Sequence, residues 1–148
     1  MTGENQHRNF FSIVSILICG ILMILCTVVF YPRYKKAADN ATLAWDAAGY
    51  YLYLPSIFIY HDLPTLDKTN KVIEKYQPGP ANIQDFVLTS DNGHPVIKYS
   101  SGMAVAELPF FLIAHALAKP LGYPADGFSM PYQAAIQFGA LLISFLGL

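Results

Sequence analysis

From Phe10 to Tyr31 the chain runs without a single charge, and its most polar members are Ser12, Ser15 and Thr27. At about 1.5 Å of rise per residue, a helix over this run is about 33 Å long, enough to cross the roughly 30 Å hydrocarbon core of a bilayer. The run is too long for the apolar core of a signal peptide, and Tyr31-Pro32-Arg33-Tyr34 offers no small-x-small cleavage pattern. It predicts a first transmembrane helix over 10–31, retained as an anchor after a tail of residues 1–9.

Two shorter apolar segments follow, GMAVAELPFFLIAHALA over 102–118 and PYQAAIQFGALLISFLGL over 131–148. The stretch 119–130 between them holds Pro120, Gly122, Pro124 and Gly127, the composition of a short helix-helix connection. The pattern therefore predicts an all-α membrane protein with three transmembrane helices. The third ends at Leu148 with no polar or basic anchor behind it. The expectation is the amino-terminal piece of a larger polytopic protein.

Between the first two apolar runs lies a long first loop, 32–101. It opens with a basic collar, Arg33, Lys35 and Lys36, and continues into an aromatic stretch, 41–60, with Trp45, Tyr50, Tyr51, Tyr53, Phe58 and Tyr60. Trp and Tyr favour the headgroup level of a bilayer, so this stretch predicts an interfacial helix broken at Pro55. The polar insertion, 61–101, carries a helix signal over Asp67–Tyr76, ended by Gln77-Pro78-Gly79-Pro80. The Asp91-Asn92-Gly93 turn then separates two β-favouring runs, 85–89 and 95–99, a small hairpin with Pro95 at a strand start.

Composition fits membrane burial: 54% of residues are hydrophobic and 13% charged, about half the usual charged share of a soluble domain. The net charge of −1 provides no basic face and excludes nucleic acid as a partner. Seven of the nine Lys and Arg residues fall in the first loop, which by the positive-inside rule would hold it in the cytoplasm. Seven acidic residues offset them, and the rule weakens for loops beyond about sixty residues, so the charge count leaves sidedness open. Cys19 and Cys26 lie two helical turns apart, outside disulfide reach.

On a helix, Asp46, Tyr50 and Tyr53 stand at i, i+4 and i+7 on one face, a carboxylate flanked by two phenols. Such a group can serve as a general base or a metal ligand, and equally as an N-terminal helix cap. Lys98, just before the second apolar run and near His94, is a point charge suited to a phosphate, or else an anchor that snorkels to the interface. Glu107 and His115 are ionisable groups inside that run, of the kind that face a partner or a pathway. Gln133 and Gln137, one turn apart, suit hydrogen bonding to another membrane helix.

In order, the anchor, the segment WDAAGYYLYLPSIFIYHDL, the insertion and KYSSGMAVAELPFFLIAHALA resemble the amino-terminal part of GT-C superfamily glycosyltransferases, the branch with protein mannosyltransferases and aminoarabinose transferases. The resemblance implies a transferase that moves a sugar from a polyprenyl-phosphate donor to an acceptor outside the cytoplasm, in a bacterial inner membrane. It implies Asp46 as the catalytic carboxylate or a ligand for a divalent metal ion, Lys98 with His94 as a weaker companion toward the lipid phosphate, and further carboxy-terminal helices completing the site; the shared helix face adds Tyr50 and Tyr53 to the substrate side. Many members carry two adjacent acidic residues where Asp46 is followed by Ala47 and Ala48. The competing reading is a non-enzymatic polytopic protein, a transporter or assembly component, with Glu107 and His115 on its pathway.

Overall fold

The computed structural model describes residues 3–79 and 83–148. Met1 and Thr2 of the expected tail, and Pro80 of the expected helix stop, lie outside them. The described chain is mostly helical, with one two-stranded antiparallel sheet. It divides into two compact units, residues 33–139 and residues 1–32 with 140–148.

The smaller unit holds helix α1 (Gly3–Leu25), which begins inside the expected tail and runs on as a π-helical turn, Cys26–Phe30. Residues Phe10–Lys35 form the one helix among those described that is long and apolar enough to cross a membrane, and almost none of it is buried within the protein. Cys19 and Cys26 on it are free and exposed. The unit also holds the last turns of a further helix, where the ring of Phe145 lies against Gly20, close enough that a Cβ there would meet it at 2.8 Å.

The larger unit is built around the aromatic segment. Helix α2 (Asp46–Tyr51), helix α3 (Tyr53–Pro55) and a π-helical turn (Ser56–Tyr60) form a continuous helical path, ended at His61 by a left-handed residue. Pro55 does not break this path, contrary to the sequence expectation. Its φ of −64° is helical, and the wider π-turn that follows is one way a helix accommodates a proline ring. Nor is the segment peripheral: Leu43, Ala48, Tyr51, Leu52, Leu54 and Ser56 are buried, which makes it the centre of the core.

Helix α4 (Asp67–Tyr76) occupies the residues its pattern predicts. Its N-terminus is capped by the buried Asp62, whose Oδ2 accepts the backbone N–H groups of Lys68 and Thr69 at 2.7 and 2.8 Å. Strands β1 (Val87–Thr89) and β2 (Pro95–Ile97) pair antiparallel with Val87 opposite Ile97 and Thr89 opposite Pro95, so the proline stands at a strand start.

Helix α5 (Gly102–Ala118) buries Ala104, Phe111, Ala114 and Ala118, spaced to form one face, against the aromatic segment. Tyr51 and Phe58 both set their rings 5.9 Å from that of Phe111. Helix α6 (Met130–Leu146) follows the connection 119–130 and passes from the larger unit into the smaller at residue 140.

Gln133 and Gln137 on α6 bond to the stretch 34–43, and Gln133 also to the connection ahead of its own helix. Gln133 Oε1 accepts the Leu43 N–H at 2.7 Å while its Nε2 donates to the Phe128 carbonyl. Gln137 Oε1 accepts from the Tyr34 N–H and the Thr42 hydroxyl, each at 2.8 Å. An irregular chain between Pro32 and Asp46 has no ladder to satisfy its amides, and these two side chains supply acceptors.

Candidate functional site

A cleft of about 190 Å³ opens at the start of α2, lined by Trp45, Asp46, Asp85, Phe86, Lys98 and Tyr99. Three stretches far apart in sequence meet there: the head of α2, the approach to β1 and the exit from β2. Asp46 and Lys98, singled out from sequence, are both on its wall.

Trp45 sets the direction of the cleft. It precedes α2 with φ 54° and ψ −132°, a region that non-glycine residues seldom adopt and that costs about 1–3 kcal/mol. Its N–H donates to the Pro78 carbonyl at 2.5 Å, and Gly79 lies so near that a Cβ on it would meet the Trp45 backbone at 3.3 Å. The turn after α4 therefore holds Trp45 in place, which leaves Asp46 in the first helical turn with its carboxylate exposed. The indole N–H donates to the Asp39 carbonyl at 3.2 Å.

Tyr99 is the side chain that joins the two halves of the cleft, though in sequence it marks only the end of a β-favouring run. Its phenol donates to Asp46 Oδ1 at 2.7 Å. Its ring lies edge-on to Tyr50 at 4.9 Å between centroids and rests directly over Gly49, where any Cβ would overlap it. Its carbonyl accepts the Tyr53 hydroxyl at 2.7 Å. The i, i+4, i+7 face of Asp46, Tyr50 and Tyr53 is thus a real face, and Tyr99 covers it.

Tyr50 and Tyr53 do not line the cleft; they hold the residue that does. Partial burial, and then the bond to Asp46, push the Tyr99 phenol up to about 12, so it stays a donor at neutral pH. Lys98 is exposed, with Nζ 5.3 Å from the Tyr99 ring centroid, and its backbone N–H donates to the Phe86 carbonyl at 3.0 Å. His94 stands in the hairpin turn, exposed and away from the cleft wall.

Asp85 is the residue that sequence reading did not single out. It is the last residue of a short 3₁₀ turn, Ile83–Asp85, and brings a second carboxylate to the cleft. Only the tertiary fold places it near Asp46, so adjacency in sequence could not reveal it. Among the described residues no group of three or more His, Cys, Asp or Glu side chains is placed to hold a metal ion. Two carboxylates do not make a preformed metal centre, and an ion there would take its other ligands from water and phosphate.

Glu107 and His115 on α5 take separate roles. The His115 Nδ1 lies 2.6 Å from the Tyr132 hydroxyl, and its ring stacks on Phe111. Glu107 Oε2 is buried without a hydrogen-bond partner.

Comparison with known protein families, with curated proteins and with solved structures finds no match to this chain.

Proposed function

We propose that the chain is a membrane-anchored part of a glycosyltransferase that uses a polyprenyl-phosphate sugar, and that the Asp46 cleft receives the phosphate-sugar junction of that donor. The observation that carries this reading is the meeting of Asp46, Asp85 and Lys98 in one open cleft, with one Asp46 oxygen oriented by the Tyr99 phenol. In this reading α1 is a retained anchor, and the larger unit stands outside the cytoplasmic face of a bacterial inner membrane.

The chemistry assigned to each group follows from its charge. A carboxylate, Asp46 or Asp85, takes the proton of an acceptor hydroxyl as its oxygen bonds to the anomeric carbon. The bond from that carbon to the phosphate oxygen breaks, and polyprenyl phosphate leaves with the electron pair. Lys98 balances the charge gained by the departing phosphate. Two carboxylates converging through space substitute for the adjacent acidic pair that the resemblance leads one to look for. The transporter reading is less well supported, since His115 is engaged by Tyr132 and Phe111.

The test is transfer from a radiolabelled polyprenyl-phosphate sugar in membranes that contain the protein. Asp46→Asn should lower the rate by about 100-fold or more with normal membrane insertion. Lys98→Ala should mainly raise the KM for donor. Normal transfer by Asp46→Asn would remove the catalytic assignment.

A further inference from the structure

We infer that α5 does not cross the bilayer but lies along its surface, with its outer apolar face seated in lipid. The first loop and the connection 119–130 then share one side of the membrane. This replaces the expectation that residues 102–118 are a second span, and it stands or falls independently of any transferase activity.

The bonds at the far end of α5 carry the inference. If α5 crossed the membrane, residues 33–101 and 119–130 would lie on opposite sides of it. Yet Lys75 and Asp126 form an ion pair at 2.9 Å, and the Tyr76 hydroxyl donates to the same Asp126 oxygen at 2.6 Å. The Tyr60 and Tyr51 hydroxyls donate to the carbonyls of Asp126 and Gly127 at 2.8 and 2.6 Å. At the near end of α5, Tyr53 and Asp46 bind Tyr99. Both ends are thus fastened to the same preceding segment, which also runs through the polar helix α4.

Layering within the larger unit says which face meets lipid. Ser56 turns toward α4, its hydroxyl 3.0 Å from that of Thr69. Phe58, two positions on and so on the other side of the helical path, packs on Phe111 of α5. The aromatic segment therefore lies between α4 and α5. On the outside of α4, Asp67, Lys68, Lys71, Glu74 and Lys75 are exposed along its whole length, a surface that requires water.

On the outside of α5 the exposed residues beyond Gly102 are Met103, Val105, Ala106, Pro109, Leu112, Ile113, Ala116 and Leu117, without a charge among them. Val105 is 70% and Ile113 56% exposed. A polar outer layer opposite an apolar one is the arrangement of a body lying in the membrane interface. Length agrees: seventeen residues make a helix of about 25 Å, short of the hydrocarbon core. An apolar helix in the same chain long enough to cross the membrane makes lipid the occupant of this face.

Sidedness is read in sealed vesicles of one orientation, with Cys19→Ala and Cys26→Ala as background. Single cysteines at Asn92→Cys and Lys119→Cys should react with an impermeant maleimide from the same side; reaction from opposite sides overturns the inference. Nitroxide labels at Val105→Cys, Ile113→Cys and Leu117→Cys should be accessible to oxygen and lie at similar depths. A steady change of depth along the helix means a span. Exclusion of oxygen from all three means a protein partner, and strong collision with a water-soluble relaxant means a solvent face. Any of these three results overturns it.

Discussion

The Tyr99 phenol donates to Asp46 Oδ1 across 53 residues of sequence, and the ring that carries it rests on Gly49, one turn along the same helix. One tyrosine thereby closes the β2 end of the insertion onto the head of α2 and orients the carboxylate there. The same hydrogen bond makes its own proton harder to remove.

That coupling predicts a pH effect. Partial burial and then Asp46 raise the Tyr99 phenol from its ordinary value of 10 to about 12. Burial, with Asp126 adding to it, does the same for Tyr60 and Tyr76. A folded state that holds protons more tightly than the unfolded chain is stabilised fully below the unfolded value of about 10 and loses that stability as pH rises through about 12. The thermal unfolding midpoint should be level from about pH 8 to 10 and fall above it. Asp46→Asn should lower the Tyr99 titration point, followed by tyrosinate absorbance.

Gly49→Ala should disconnect the pair without removing either member. Alanine gains about 1 kcal/mol of helix propensity, but the Cβ overlaps the Tyr99 ring and overpacking costs about 1–3 kcal/mol. The net expectation is a loss of about 1 kcal/mol in denaturant unfolding. In Tyr99→Ala the same substitution should be stabilising, since the obstacle is gone. A loss of equal size in both backgrounds would mean that the ring is not the obstacle.

What the sequence made legible was local. Helix α4 ends after Tyr76 because Gln77 adopts a left-handed conformation and Pro78 follows, and the hairpin turns at Asp91-Asn92-Gly93, where Gly93 has φ 77°. Each signal acts within four or five residues. The cleft depends on distant encounters instead. Asp85 joins Asp46 on one cleft wall, and Tyr99 reaches Gly49, only when the insertion folds back on α2. Lys98 was legible as a charge near an apolar run, while its place beside Asp46 was not. The apolar length of 102–118 was equally plain, but whether such a helix crosses or lies flat depends on what holds its ends, here Asp126 and Tyr99.

Gln133 is a second long-range tie, and a simple one to cut. It is buried, accepts from Leu43 N–H and donates to Phe128 O. Gln133→Leu keeps the volume and strands a buried backbone donor, at a cost of about 1–3 kcal/mol. Hydrogen exchange at the Leu43 amide should accelerate by a factor of about 10 or more if opening becomes easier by about 1.4 kcal/mol. Gln133→Glu, which retains an acceptor for Leu43 but none of the donors for Phe128, should fall between wild type and leucine if the Leu43 bond is the larger part.

Asp126 and Lys75 allow the worth of an ion pair to be separated from that of the carboxylate itself. The Lys75 ammonium is more than half exposed, so the pair contributes less than about 1 kcal/mol in solution even though the bond to Asp126 raises the lysine's pKa. Asp126 does more: Oδ1 accepts the N–H groups of Phe128 and Ser129 at 3.1 and 3.0 Å, ahead of α6, and Oδ2 accepts the Tyr76 phenol. Removing it leaves those donors unpaired, at about 2 kcal/mol in total. Lys75→Ala should therefore shift denaturant unfolding slightly and Asp126→Ala clearly, with most of the second effect surviving in a Lys75→Ala background. Equal losses from the two single substitutions would show that the ion pair, not the turn before α6, is what Asp126 supports.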